Sequence, residues 1–485
     1  MLKNIKEKYN QIPVAMKASF WFVICSVLKD VIDILVMPVF TRILTTEQYG
    51  IYNVYQSWFQ IFKIIFTLFL FSDVFNVGLL RFEEERDQFI SATLGFTTTV
   101  TGFFFVLYLL NHSFWEQVLD LPGFMIWWMF AQVVTHVAYH CWIRRERFDY
   151  HYKNVSAVSF LYVFLQPTLG ILAICCLDLP INPGYTRIIA AVAVHVLIGM
   201  ILYIGMMRRG KIFYHRKFWI YSLKTGIVLI PFNLSKVVLN QSDRIMLNTF
   251  LGKAETAVYS VAHSGAFMLQ AMMEGINGAF VPWFYRKLKK EDYAGIVPVV
   301  NVMVLVASAG VISISLIAPE FMKILASEDY YMGVYCIPAL SYSVYLIFIY
   351  SLFSDIELFY GKNNYVTIVA AVGSVVNIIL NAFFIPRYGF IAASYTTLAG
   401  YAIMCFGNYW FVRKCLKDVE VDERSIYSLK LILLNSSVLF IFSMVCVVLY
   451  ERVIVRWGLF ALCALTVVIS RNKWLEIYRE VKKNR

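Results

Sequence analysis

The chain has 485 residues, 60% of them hydrophobic and only 15% charged, with a formal net charge of +12. A water-soluble fold of this length would leave much of that apolar surface wet, which the hydrophobic effect opposes. The composition therefore excludes an ordinary soluble enzyme or binding domain, and the basic balance needs another explanation than nucleic acid.

Apolar runs of about 18–25 residues, the length that crosses a bilayer as a helix, follow one another from end to end. A β-barrel would show short alternating segments instead. The expected class is an all-α polytopic membrane protein with 14 transmembrane helices. They are placed near 18–40, 50–72, 88–110, 122–143, 155–177, 187–207, 222–244, 255–280, 295–317, 333–353, 364–385, 389–412, 428–449 and 453–470. The opening stretch "MLKNIKEKYNQIPVAMK" is basic, but a full-length apolar run follows it with no small-x-small cleavage site. It reads as a retained first helix, not as a cleaved signal.

With the N-terminus inside, Lys and Arg in the inner segments outnumber those in the outer loops by about four to one. Arg42, Arg187, Arg244 and Arg456 are among the few outer ones. The positive-inside rule then puts both termini in the cytoplasm. The clusters "RRER", "RRGKIFYHRK" and "RKLKK" become topology signals with anionic lipid headgroups as neighbours. Nine cysteines, most inside apolar runs, suggest neither a disulfide framework nor a zinc site. His136 and His140 lie one turn apart, yet no carboxylate motif or third ligand accompanies them in the sequence, so no metal is expected.

"RILTTEQYGIYNV" (42–54) and "TFLGKAETAVYSV" (249–261) match at an offset of 207 residues. Intramembrane polar residues obey the same offset: Lys29 maps onto Lys236, Ser26 onto Asn233 and Asp33 onto Asn240. Gln56, Lys63 and Thr67 map onto His263, Gln270 and Glu274. The expected organisation is two parallel, pseudo-symmetric six-helix lobes, 1–220 and 221–415, followed by 416–485 with two added helices and a cytoplasmic tail. Parallel repeats of this kind occur in transporters.

Ser26, Lys29, Asp33 and Met37 recur every three or four residues and share one helical face. Asn233, Lys236, Asn240 and Asp243 do the same in span seven, and Gln56, Gln60, Lys63 and Thr67 in span two. His263, Gln270, Glu274 and Asn277 form a fourth stripe. A charge at the bilayer centre costs at least about 2.5–3.5 kcal/mol. The stripes must therefore face one another or a wet cavity. A purely structural Lys29–Asp33 pair is the competing explanation for the first. Asn377 and Asn381 in span eleven read as interhelical hydrogen-bond glue.

"FTRILTTEQYGIYNV", "LNQSDRIMLNTFLGKAETAVYSVAHS" and "NIILNAFFIPRYGFIAASYTTLAGY" resemble the bacterial polysaccharide flippases. These belong to the multidrug/oligosaccharidyl-lipid/polysaccharide exporter superfamily. The resemblance covers the whole chain, and "NQSDRIML" followed by a Leu-Gly turn and "VYSVA" is its most specific part. It implies movement of an undecaprenyl-diphosphate-linked oligosaccharide from the cytoplasmic to the outer face of the bacterial cytoplasmic membrane. Alternating access is implied, with the two lobes rocking about a central cavity. The implied partners are the lipid-linked oligosaccharide, membrane lipids and polysaccharide polymerase machinery.

On that reading Lys29, Lys63 and Lys236 attract the diphosphate as point charges. Arg244 receives the head near the outer mouth. Gln56, Gln60, Asn233, Asn240 and Gln270 bond sugar hydroxyls. No Walker A motif and no cofactor site is present in the sequence, and Asp30, Asp33 and Glu274 are the candidates for H+ or Na+ coupling. The nearest rival is a drug/cation antiporter of the same superfamily, which would want an acidic or aromatic cavity. A peptidoglycan-precursor flippase would be expected to carry extra arginines in span one. A membrane glycosyltransferase or polymerase would need a large catalytic outer loop. Here "APEFMKILASEDYYMG" is acidic at Glu320, Glu328 and Asp329 but shows no catalytic pair.

Overall fold

The computed structural model describes residues 13–177 and 179–469. The basic N-terminal stretch and the basic tail used in the topology argument lie largely outside those residues. The described chain is all-α apart from short 3₁₀ segments, and it forms two compact units, Met1–Val237 and Val238–Arg485. The division falls inside the helix Arg216–Leu251, which also contains the expected lobe boundary at 220/221.

The first unit contains α1 (Val14–Ile43), α2 (Thr46–Thr67), α3 (Asp73–Arg81), α4 (Arg86–Leu110), α5 (His112–Leu119), α6 (Gly123–Phe148), α7 (Tyr152–Cys176) and α8 (Pro183–Gly210). It also holds the first part of α9 (Arg216–Leu251). A reciprocal capping box starts α2: Gln48 N–H donates to the Thr45 hydroxyl, and Thr45 N–H to the Gln48 side chain. The expected span 50–72 is cut short because Leu68 and Phe69 take left-handed backbone angles, φ 50° and 55°. That turn drops Phe71 and Phe75 into a core with Leu79, Phe82 and Phe89.

Within this unit α8 is the hub, packed by α2, α4, α6 and α7, while α1 lies on α7. Close approach is built into the hub. A Cβ on Gly199 would sit 2.6 Å from Thr135 Cβ, and one on Gly210 only 2.1 Å from the Asp87 carbonyl oxygen. Small residues at helix contacts serve this purpose in membranes.

The second unit continues α9 and adds α10 (Lys253–Lys289), α11 (Ile296–Leu325), a 3₁₀ segment (Glu328–Cys336), α12 (Ile337–Phe359), α13 (Asn363–Tyr388), α14 (Phe390–Asp418), α15 (Leu429–Val448) and α16 (Val453–Ile469). Here α12 is the hub, packed by α10, α11, α14 and α15, and α13 lies on α14. The packing order repeats that of the first unit: the fourth and sixth long helices, and the fifth and sixth, make the most extensive contacts in both. The added helices do not stand apart, since α15 packs on α11 and α12, and α16 on α11.

A helix occupies each of the fourteen predicted positions, and α3 and α5 are additional. The expected outer loop "NHSFWEQVLDLP" is mostly α5, which meets α6 at 87°. The acidic outer loop is likewise consumed by the end of α11 and the 3₁₀ segment. By length and apolarity, nine helices among the described residues are fit to cross a membrane, ten if α5 and α6 count as one bent span. Those not in that set are α1, which carries Lys29, Asp30 and Asp33 close together, α2 and α10, which are rich in polar residues, and α16, which is short.

Candidate functional site

The first unit holds the α1 and α2 stripes. Lys29 Nζ lies 3.5 Å from Asp33 Oδ2, one turn away, and both side chains are open, 54% and 68% exposed. Asp30 is exposed beside them. The two are thus an ion pair that is not enclosed within its own unit. On α2, Gln56, Gln60 and Lys63 are half-buried on one face. Lys63 Nζ stands 5.9 Å from the ring centres of both Phe59 and Phe71, within cation–π range. The Thr67 hydroxyl is turned back onto the Lys63 carbonyl.

Behind Lys63 the structure gathers more than the sequence suggested. His136 and His140 of α6 have ring centres 4.3 Å apart, and His195 of α8 stacks on His136 at 5.5 Å. Tyr162 of α7 meets His195 Nδ1 at 2.5 Å, and Tyr55 donates to Gln132 Oε1 at 2.8 Å. His195 is the third imidazole that sequence spacing could not reveal, since it comes from another helix. Among the described residues, no group of three or more His, Cys, Asp or Glu is placed to hold a metal.

Arg187, counted with the outer loops in the sequence, lies within α8 and is only 7% exposed. Its guanidinium carbon stacks 3.6 Å over the centre of the Tyr52 ring and 3.8 Å over that of Phe40. Aromatic rings thus contribute to its stabilisation where water is scarce.

Along α9, Asn233 Nδ2 turns back to the Leu229 carbonyl at 2.9 Å, and Lys236 is exposed. Pro231 lies inside the same helix, where it removes one backbone donor. Asn240 Oδ1 accepts from Tyr401 at 2.9 Å. Arg244 is engaged through Nε by the Ser260 hydroxyl at 3.2 Å, through Nη1 by Gln241 at 2.9 Å, and through Nη2 by His263 Nδ1 at 3.0 Å. Much of its donor set thus fixes α9 to α10.

Asp243, the next residue of that stripe, is 1% exposed. Asn381 donates to its Oδ1, and Tyr259 and Thr397 donate to its Oδ2. Ser242 donates to Asn377, and Asn381 bonds Asn377 in turn. Asn377 and Asn381 are thus interhelical glue, as expected, but they also surround a carboxylate missing from the coupling candidates. On α10, Gln270 Nε2 donates to Glu274 Oε1 at 2.7 Å, with Glu274 exposed, and Asn277 donates to Asp355 at 3.2 Å.

Residues 15–288 match the protein family described as "Polysaccharide biosynthesis protein". The chain belongs to that family. Relatives of this polysaccharide biosynthesis protein include an uncharacterized membrane protein of Methanocaldococcus jannaschii, 23% identical over 250 residues, 50% of this chain and 49% of the relative. Another is an uncharacterized membrane protein of Haemophilus influenzae, 22% identical over 281 residues, 57% of this chain and 66% of the relative. The matches thus span about half of the first relative and just under two thirds of the second.

Among solved structures, the fold is similar to an inward closed lipid II flippase, MurJ, with a TM-score of 0.71 and 13% identity. That likeness covers 94% of this chain and 99% of the other. It is also similar to an inward-facing multidrug resistance MATE family transporter of the MOP superfamily, with a TM-score of 0.52 and 12% identity over 78% of this chain and 96% of the other. The protein is thus a multi-pass membrane protein whose fold is similar to that of these two transporters.

Proposed function

We propose that this family member is a flippase for an undecaprenyl-diphosphate-linked oligosaccharide, moving the polar head from the cytoplasmic to the outer face of the bacterial cytoplasmic membrane. In this reading all fourteen predicted helices cross the bilayer, both termini are cytoplasmic, and the cycle is one of alternating access. The observation that carries the reading is the exposure of Lys29 and Lys236 in the middle of long membrane helices, Lys29 on a face with Ser26 and Asp33, Lys236 on a face with Asn233 and Asn240. Lys29 already shares Asp33 at 3.5 Å, yet a mid-membrane ammonium open to its surroundings favours a hydrated site that a more strongly charged anion can join.

A diphosphate supplies that anion, and an oligosaccharide supplies hydroxyls for Gln56, Gln60, Asn233, Asn240 and Gln270. Membership of a polysaccharide biosynthesis family and likeness in fold to a flippase support a lipid-linked cargo. Lys29, Lys63 and Lys236 disfavour the drug/cation reading, because an organic cation would meet ammonium groups on three of the four stripes. Asp30, Asp33 and Glu274 remain candidate coupling groups, and buried Asp243 joins them. A polysaccharide polymerase is the proposed consumer of the product.

Replacement Lys236→Ala in cells tests this role. Surface polysaccharide should be lost while the protein inserts at its normal level, and Lys236→Arg should retain export. Unchanged export in the alanine variant would remove Lys236 from the mechanism.

A further inference from the structure

A cavity of about 260 Å³ opens in the first unit where α4, α5 and α6 meet. It lies at the end of α4 and α6 opposite to the Arg145–Asp87 ion pair (2.9 Å) that ties their other ends together. Three aromatic residues line it: Tyr108, Phe124 and Trp127. Phe124 and Trp127 are exposed, 43% and 57%, while Tyr108 is buried.

One carboxylate, Glu116, shares the cavity. The Tyr108 hydroxyl donates to its Oε1 at 3.2 Å, and His112 Nδ1 lies 3.4 Å from that same oxygen. Both contacts fall on Oε1, so Oε2 remains for a further donor. The carboxylate fits because residue 123 is glycine. A Cβ there would stand 2.6 Å from Glu116 Oε1 and 3.1 Å from the Tyr108 hydroxyl.

The helix that carries Glu116 also fixes the depth. On α5 and the residue before the turn leading into it, Leu110, Phe114 and Val118 recur every fourth position and are 77%, 50% and 45% exposed. The opposite side buries Leu119 into a core with Met125 and Met129, where Trp115 packs partly buried. A short helix meeting α6 at 87°, with one apolar stripe outward and His112 and Glu116 on another face, has the pattern of a helix that lies in a membrane interface. On that pattern the cavity belongs at headgroup level, where aromatic belts form. An ordinary aromatic belt requires neither a carboxylate nor a glycine that makes room for it.

Aromatic walls and one carboxylate are the chemistry that recognises an ammonium group. We propose that this cavity binds the ammonium of a zwitterionic phospholipid headgroup, with Trp127, Phe124 and Tyr108 as walls and Glu116 as counter-charge. An anionic headgroup without an amine is disfavoured by the same carboxylate. The site is separate from the polar stripes, so it does not depend on the cargo proposed above.

Native mass spectrometry of the full chain, released from detergent micelles that carry equal amounts of phosphatidylethanolamine, phosphatidylcholine and phosphatidylglycerol, tests it. The wild type should retain phosphatidylethanolamine over phosphatidylglycerol by at least about threefold. Glu116→Gln should erase that preference, and so should Gly123→Ala, which removes no wall but displaces the carboxylate. Phosphatidylcholine, which also carries a cation, should be retained better than phosphatidylglycerol. Equal retention of all three lipids by the wild type would overturn the proposal. So would an undiminished preference in both variants.

Discussion

Asn381 donates its side-chain amide to Asp243 across 2.6 Å, joining α13 to α9 inside the second unit. Thr397 and Tyr259 bond the other carboxylate oxygen at 2.5 and 2.7 Å, so three helices besides α9 converge on one buried anion. Removing the carboxylate strands three donors at once, which costs more than deleting a single bond.

Asp243→Ala should therefore destabilise the protein by about 2–4 kcal/mol, allowing for the modest worth of hydrogen bonds within membranes. Ser242→Ala, which deletes one donor to Asn377, should cost less than about 1 kcal/mol. Thermal unfolding in detergent reads both values. Equal midpoints for the two variants would contradict the assigned weight of Asp243.

Arg187 stacks on the rings of Tyr52 and Phe40, so its flat guanidinium matters as much as its charge. Arg187→Lys should recover little of what Arg187→Ala loses, about 0.5–2 kcal/mol in the same unfolding measurement. Full rescue by lysine would show that charge alone suffices.

The last described helix is tied down by one fork. Arg456 Nη1 and Nη2 meet the two oxygens of Glu320 at 2.7 and 2.8 Å, and Nη1 also reaches the Leu316 carbonyl at 2.7 Å. A double-mutant cycle of Arg456→Met and Glu320→Gln should give a coupling energy of about 1–2 kcal/mol, since the pair is bidentate and Arg456 is buried. A coupling near zero would mean that α16 is held on α11 by apolar packing alone.

Much of the helical layout was legible because apolar runs of membrane length are bounded by polar turns. The stripes were legible because Lys29, Lys63 and Lys236 stand in those runs at helical spacing. What could not be read depended on chain segments far apart in sequence. His195 comes to His136 from a different helix, and Arg187 finds Phe40 and Tyr52 only once α8 packs beside α2. Asp243 was visible in its stripe, but its burial is set by Tyr259, Asn381 and Thr397 from three other helices. The break after Thr67 was hidden because "LFLFS" is as apolar as the helix before it, and the left-handed turn there serves core packing.

Cargo capture by the mid-membrane lysines is the central claim. It is tested most directly by following an undecaprenyl-diphosphate-linked oligosaccharide across proteoliposomes that contain the purified protein. Lys29→Ala, Lys63→Ala and Lys236→Ala should each slow translocation at least about tenfold, the effect of losing roughly 1.4 kcal/mol of head-group binding, and arginine at the same positions should restore most of it. Wild-type rates in all three alanine variants would contradict the account.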